Sequence, residues 1–477
     1  MTADKVARNA TILLAADIVS KLISFFLVVA IARYLGEAGL GKYSFVFALA
    51  GVAAIFADLG LTTYITREIS RNREKARQYI GNMLGIKLIL ALATIAIPII
   101  AVGQVEKSQE VIFAAYIVAA ATGLLNLSTV FATLFMAYEK LEYYAIANLL
   151  ERIITAGIGM FLLYKGYGLT GLVTAYLISY AAVLAIAWML AYRKTCSFTI
   201  SFDLAFWKEC LKNSMPFWFT TVFITIYFRI DTVLLQMLTN YEAVGIYNAA
   251  YRALDALYFI PSAVITAVFP AMSRLHATDK PLLRTLFRRA FYYLLILAIP
   301  IAVGVMLLSD RLMPLIYGSG FQGSAQALQV LIWAEAIIFI SSLTGYLLNA
   351  VNRQLVFTFT TAAAAVLKIG LNLILIPRLS YMGAALSTVI TELAVLAVLY
   401  YWAVKEGYSA DAVKSVLKPI LAAAAMAAVV TIFSWLHILI LVPLAAGAYF
   451  ATLFILKGIG KEEIKLLLSL KVQAFRK

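Results

Sequence analysis

Fourteen apolar stretches run through this chain, each about long enough to cross a bilayer as a helix, with only short polar turns between them. They cover 9–33, 41–66, 80–103, 111–137, 143–164, 168–192, 214–237, 244–271, 290–308, 325–350, 355–377, 383–404, 418–436 and 438–456. Crossing about 30 Å of hydrocarbon takes roughly 20 apolar residues, so the pattern predicts an all-α polytopic membrane protein of about 14 transmembrane helices. Composition agrees. Hydrophobic residues make up 64% of the 477 and charged residues 13%, against roughly 45–50% and about 25% in soluble chains. Mean hydropathy is +0.93. This excludes a soluble enzyme, a secreted domain and a nucleic-acid binder. The N-terminal run carries Asp17 and Lys21 and no small-residue cleavage site, so it reads as a retained first span rather than a signal peptide.

The net charge of +15 sets orientation. With the N-terminus inside, the predicted inner segments hold 27 of the 39 Lys and Arg, the outer segments six and the spans six. Lys and Arg accumulate on the cytoplasmic side, so both termini are expected inside a cell membrane. The basic loops need do no more than set topology; attraction to anionic head groups is the additional reading. The longest polar stretches, 193–212 and 273–289, are too short for a catalytic domain. Cys196 and Cys210 share the first of them without metal spacing, and no disulfide is expected in a cytoplasmic loop. His276 and His437 complete no zinc set.

The chain resembles itself. GLGKYSFVFAL (39–49) matches VGIYNAAYRAL (244–254), with Gly41 and Tyr43 falling on Gly245 and Tyr247 at an offset of 204, and Gly171 and Gly383 anchor a second match at 212. Six spans per copy places both copies in the same orientation, related by an axis along the membrane normal, with the substrate path between them. The predicted lobes are 1–192 and 193–404. An additional helix pair and a basic cytoplasmic tail occupy 405–477.

Thirteen ionisable residues fall inside spans: Asp17, Lys21, Asp58, Lys87, Glu151, Arg152, Arg229, Asp231, Arg252, Asp255, Glu335, Lys368 and Glu392. At roughly 2.5–3.5 kcal/mol each, facing lipid would cost on the order of 30 kcal/mol. Most must therefore meet a partner charge, a cavity or water. Asn248, Arg252, Asp255, Ser262 and Thr266 form one helical stripe; Thr221, Thr225, Arg229, Thr232 and Gln236 form another. Asp231 points about 200° away from Arg229, toward a neighbouring helix. Asp17 and Lys21 are spaced for a local pair, as are Arg252 and Asp255. Glu151 and Arg152 could pair in helix packing. Lys87, near its helix start, can snorkel to the inner surface. Six of the thirteen are basic and seven acidic, so the set is no simple cationic pit. The chain has no Walker A and no GxSxG. No cofactor is expected, and energy must come from an ion gradient, the potential or the substrate gradient.

ARYLGEAGLGKYSF (32–45), FRIDTVLL (228–235), EAVGIYNAAYRALDALYFIP (242–261), FPAMSRL (269–275) and YGSGFQGSAQALQVL (317–331) resemble the polysaccharide transporter, or Wzx-like oligosaccharide flippase, family. That family belongs to the superfamily that also holds multidrug extruders and lipid II flippases. The resemblance implies 12 to 14 helices in two six-helix lobes that rock between inward- and outward-open states. It implies a substrate made of an oligosaccharide on a polyprenyl phosphate or pyrophosphate. It also implies membrane lipid, H+ or Na+ and glycan-pathway enzymes as partners. Basic residues of the central cavity would meet the phosphate and sugar: Arg229 and Arg252, then Lys21, Lys368 and Arg152. The buried acids leave room for ion coupling through Asp17, Asp58, Asp231 or Asp255. The last helix pair resembles one that some members use as a lipid-side groove. A cation-coupled multidrug exporter of the same superfamily is the first alternative. A polytopic glycan polymerase or ligase is the second, disfavoured by the short outer loops. The reading is of a carrier, not an enzyme.

Overall fold

The computed structural model describes residues 3–195, 198–410 and 412–458. Among the described residues sixteen α-helices follow one another and no strand occurs. They are α1 (Ala3–Ala53), α2 (Ile55–Asp58), α3 (Leu61–Arg71), α4 (Ala76–Val105), α5 (Gln109–Ala137), α6 (Leu141–Tyr164), α7 (Gly168–Lys194) and α8 (Leu204–Leu238). Then come α9 (Tyr241–Asp255), α10 (Phe259–Thr278), α11 (Lys280–Tyr317), α12 (Gln322–Ala350), α13 (Gln354–Leu379), α14 (Tyr381–Lys405), α15 (Ala412–Ile432) and α16 (Ile438–Ile455). The chain is a multi-pass membrane protein, with twelve helical stretches among the described residues long and apolar enough to cross a bilayer. The first of these contains two predicted spans, and the shorter α15 is a further apolar helix. The count therefore agrees with about fourteen.

Three predicted boundaries look different in three dimensions. The turn between the first two spans is a single residue, Gly36, at φ 70 and ψ −171 inside α1. That backbone region is open essentially to glycine alone. The second span is not continuous. Leu59 and Gly60 stand in the left-handed region at φ 46 and 75, separating α2 from α3. A Cβ on Gly60 would also meet the Trp218 backbone nitrogen at 2.8 Å. The eighth predicted span is likewise divided, with α9 ending at Asp255 and α10 beginning at Phe259. Such breaks are tolerated at membrane depth where neighbouring protein satisfies the freed backbone groups.

The chain forms two compact units. One holds the described residues within 1–252, 316–321 and 368–384; the other holds those within 253–315, 322–367 and 385–458. In the first, Ile65, Ile80, Met83, Val130, Leu134 and Trp207 build a buried core. The segment before α8 is strapped across the start of α4. Ser201 donates its backbone N–H to the Gly81 carbonyl at 3.0 Å. The Asn82 side-chain oxygen accepts from the Asp203 backbone (3.0 Å) and from the Trp207 indole (2.9 Å). Asp203 in turn caps α8 through Ala205 and Phe206, which satisfies amides that the helix start leaves open.

In the second unit Phe287, Leu294, Phe339, Leu343, Leu347 and Leu399 form the main core. The hairpin of α15 and α16 packs on α11 through Ala422, Met426, Leu441 and Leu453 against Ile296 and Leu308. Polar ties hold it at several levels. Tyr449 donates to the Ile296 carbonyl (2.9 Å), Tyr292 to the Gly458 carbonyl (2.8 Å), and Arg311 to the Leu436 carbonyl (3.2 Å). Residues 459–477, including most of the predicted basic tail, lie outside the described residues, as does Cys196.

Candidate functional site

Charges in an apolar chain have few places to go, and the fold resolves most of them into pairs. In the first unit the break at Leu59 leaves Asp58 at the end of α2, where its carboxylate accepts from the Thr62 amide (3.3 Å) and the Thr62 hydroxyl. Lys87 of α4 points inward rather than to the surface. Its ammonium donates to Asp58 Oδ1 at 2.6 Å, to Thr129 Oγ1 at 2.5 Å and to Thr62 Oγ1 at 3.3 Å. The Lys87 side chain is fully enclosed while the Asp58 side chain keeps 29% exposure. The expected snorkelling is thus replaced by a neutralised pair. A buried ammonium needs both a counter-charge and acceptors for its protons.

A second network joins α8, α9 and α13. Asp231, on the α8 face turned away from Arg229, meets Lys368 Nζ at 2.7 Å. It also accepts from Asn372 Nδ2 at 2.6 Å and from the Tyr247 hydroxyl at 2.8 Å. Lys368 donates further to the Tyr227 carbonyl at 3.1 Å and lies over the Tyr227 ring. Both charged side chains are buried. The structure brings Asp231 and Lys368 together, although the sequence had given them different tasks.

Arg152 Nε lies 3.0 Å from Glu151 Oε2 and its side chain is 40% exposed, while Glu151 is buried. Beside this pair the Tyr43 and Tyr176 hydroxyls are hydrogen-bonded at 2.8 Å, and Tyr180 packs edge-on against Tyr176. Asp17 and Lys21 pair at 2.9 Å, both about half exposed. Arg229 is exposed, and its stem lies against α1 at Gly51, where a Cβ would stand 3.7 Å from Nε. Arg252 is half-buried in the last turn of α9, and Asp255 ends that helix.

In the second unit Glu335 and Glu392 are both buried. Glu335 lies within electrostatic range of Asp255 and Glu392, and its Oε1 has no hydrogen-bond partner. No group of three His, Cys, Asp or Glu with metal-holding geometry occurs among the described residues. The same unit carries a groove of about 480 Å³ between α15 and the helices α11, α12 and α14. Ile299, Trp333, Ile337, Leu396, Ile420 and Ala424 line it, and the lining is almost wholly apolar. The run AAAAMAA (422–428) supplies the small side chains that leave the space open. That run was the available signal in the residues themselves; a lipid-side groove at this helix pair was expected only from the family resemblance.

Discontinuous helices, buried charge pairs and an apolar side groove define a polytopic membrane transporter. Comparison with solved structures agrees on the fold. The chain resembles a lipid II flippase MurJ in an inward closed conformation, with a TM-score of 0.79 and 17% identity over 93% of this chain and 98% of that one. It also resembles an inward-facing multidrug resistance MATE family transporter, at 0.67 and 17% identity over 81% and 94%. The model of the family described as polysaccharide biosynthesis protein matches residues 6–276, more than half the chain, and the MatE model matches 216–374. The chain belongs to the polysaccharide biosynthesis protein family. Among curated relatives, it is 25% identical to a probable low-salt glycan biosynthesis flippase, Agl15, of Haloferax volcanii, over 81% of this chain and 80% of the relative. It is 23% identical to a putative O-antigen transporter of Shigella flexneri, over 75% and 88%.

Proposed function

We propose that this protein is a flippase that carries a polyprenyl phosphate- or pyrophosphate-linked oligosaccharide from the inner to the outer leaflet by alternating access. The observation that carries the reading is the apolar groove beside α15. A soluble drug or an ion has no use for such a surface, whereas a long isoprenoid tail gains by lying in it while its head group travels. The family membership and the relatives named as glycan flippases support the same reading.

The sugar and phosphate cannot enter hydrocarbon, so they travel in a hydrated path between the two lobes of the repeat, 1–192 and 193–404. Arg229 and Arg252 are the phosphate-binding residues in this scheme. A guanidinium is permanently charged and presents paired donors to phosphate oxygens. Arg152 and Lys21 keep part of their surface exposed beside their own acids and serve as secondary contacts. Lys368, enclosed with Asp231, acts as a support for α8. Transport draws on a proton or sodium gradient or on the membrane potential. Asp58 is the coupling residue of choice, because it alone of its pair retains exposure. The protein sits in the cell membrane with both termini cytoplasmic. It works beside glycan-pathway enzymes and forms no glycosidic bond itself.

A second reading has its own observations: the MatE match over 216–374 and the buried carboxylates Glu335 and Glu392 fit a cation-coupled drug exporter. Reconstituted vesicles separate the two. The flippase reading expects a fluorescent lipid-linked oligosaccharide to reach the far leaflet, with a large loss in Arg252→Ala. Unchanged glycan translocation in that variant, together with collapse of cationic dye export, would establish the exporter.

A further inference from the structure

Two glycines that the internal repeat aligns, Gly41 and Gly245, lie at one helix crossing within the first unit. Neither is at positive φ, so backbone conformation does not demand glycine at either place. Close approach does. A Cβ on Gly41 would strike the Tyr241 carbonyl oxygen and stand 2.7 Å from its carbon and 3.1 Å from the Gly245 nitrogen. A Cβ on Gly245 would strike the Glu37 carbonyl oxygen and stand 2.8 Å from its carbon and 3.2 Å from its Cα. The obstructing atoms are all main chain, which cannot swing aside as a side chain does.

The two contacts are reciprocal under the repeat. With the offset of 204, Glu37 corresponds to Tyr241 and Gly41 to Gly245. Thus Gly41 meets the counterpart of Glu37, and Glu37 meets the counterpart of Gly41. This is the signature of an isologous contact on a two-fold axis, here formed between the two copies inside one chain. Both segments are helix starts. Gly36 breaks α1 just before one, and the Asn240 side chain accepts from the Ala243 amide at the other (2.9 Å). The distribution of Lys and Arg puts these starts on the outer side. Leu40 and Val244, which precede the glycines, are buried. Around the crossing Phe45 packs on Tyr241, Tyr241 donates to Glu106, and Lys42 pairs with Glu110 at 2.6 Å.

We infer that the Gly41–Gly245 crossing is a reversible seam that shuts the outer end of the transport path, and that cargo leaves only when it parts. A path between two copies related by an axis along the membrane normal follows that axis. Main chain meeting main chain on the axis leaves no bore at that level. Glycine suits a contact that must open repeatedly, since at the crossing itself no side chains interlock, and only the flanking Phe45–Tyr241 edge contact and the Tyr241–Glu106 hydrogen bond have to part with it. The inference rests on the flippase reading for the identity of the cargo.

The test uses the full chain with Cys196→Ala and Cys210→Ala, to which Glu37→Cys and Glu242→Cys are added. The Glu37 main chain lies against Gly245, three residues beyond Glu242, and the Glu37 and Glu242 carboxylates influence one another electrostatically, so oxidation or a short bis-maleimide is used to join the pair. The expected result is a cross-link in vesicles, at least tenfold slower translocation of lipid-linked oligosaccharide, and recovery on reduction of the oxidised sample. Full-rate translocation by the cross-linked protein, or no cross-link under any condition, overturns the seam. Failure of the un-cross-linked pair to translocate, while it folds normally, counts instead against the flippase reading. A second measurement does not depend on cargo. Leu40→Cys should resist a membrane-impermeant maleimide in the native background and label at least tenfold faster beside Gly245→Ala, where the added Cβ props the seam. Equal labelling in the two backgrounds overturns the proposal.

Discussion

Lys368 and Asp231 meet at 2.7 Å with almost no exposure on either side chain, and Asn372, Tyr247 and the Tyr227 carbonyl complete their hydrogen bonds. Removing one charge of such a pair leaves the other uncompensated, at about 3–5 kcal/mol. Lys368→Met and Asp231→Leu should each lower the unfolding midpoint in detergent sharply. The double variant should recover part of the loss, because neither charge is left uncompensated, although Asn372 and Tyr247 lose their acceptor. A double variant no better than the singles would show that the pair is not a closed unit.

Asp58 and Lys87 differ in one respect that makes them informative about coupling: only the acid retains exposure. Asp58→Asn keeps an acceptor for Thr62 but strands the Lys87 ammonium, so stability should fall by about 3–5 kcal/mol. Asp58→Asn with Lys87→Gln should regain stability yet translocate without responding to an imposed proton or sodium gradient. An unchanged gradient response would remove Asp58 from coupling.

Arg229 and Arg252 are assigned to phosphate. Losing one charge-assisted hydrogen bond costs roughly 1.5–3 kcal/mol, which is about 10- to 100-fold in affinity. Arg229→Ala and Arg252→Ala should weaken apparent affinity for the lipid-linked substrate by that order. The Lys variants should fall between, because a single ammonium cannot match the paired donors. Equal affinity in Arg→Ala and native protein, measured by substrate titration in vesicles, would refute the assignment.

Ala424 faces the apolar groove. Ala424→Phe should fill part of it without entering a packed core. Translocation of a long polyprenyl substrate should fall severalfold while the unfolding midpoint stays put. A substrate with a shortened lipid should be less affected, and an equal loss for both would argue that the tail lies elsewhere.

Cys210 sits in α8 ahead of its membrane span, where burial, with Glu209 and Glu68 nearby, pushes the thiol up to about 12 from an ordinary 9.0. The folded state therefore holds this proton more firmly than the unfolded chain. Its contribution to stability is intact below about pH 9 and declines as pH rises toward 12, because the unfolded chain ionises first. Maleimide should label Cys210 only after unfolding at neutral pH, as mass spectrometry of labelled protein can check.

The helical class and the span count were readable in advance because each depends on local composition. A run of twenty apolar residues has one cheap conformation in lipid, whatever its neighbours. Which charges fall inside spans was readable for the same reason, although Asp17, Lys21 and Arg229 keep exposure rather than being buried. The partners of these charges were not. Lys87 looked free to snorkel because its position near a helix start says nothing of the break that presents Asp58 to it. Asp231 and Lys368 lie on helices far apart in sequence, and helical phase fixes which way each points but not what waits there.

Sequence by itself determined that this chain lives in a membrane as helices and which face of several spans is polar. These follow from the transfer cost of side chains and backbone, which is paid residue by residue. Tertiary structure decided which charges cancel, where two spans break, how closely Gly41 and Gly245 let main chain meet main chain, and that α15 leaves a groove open. Those outcomes depend on distances between segments remote in the chain, and only packing sets such distances.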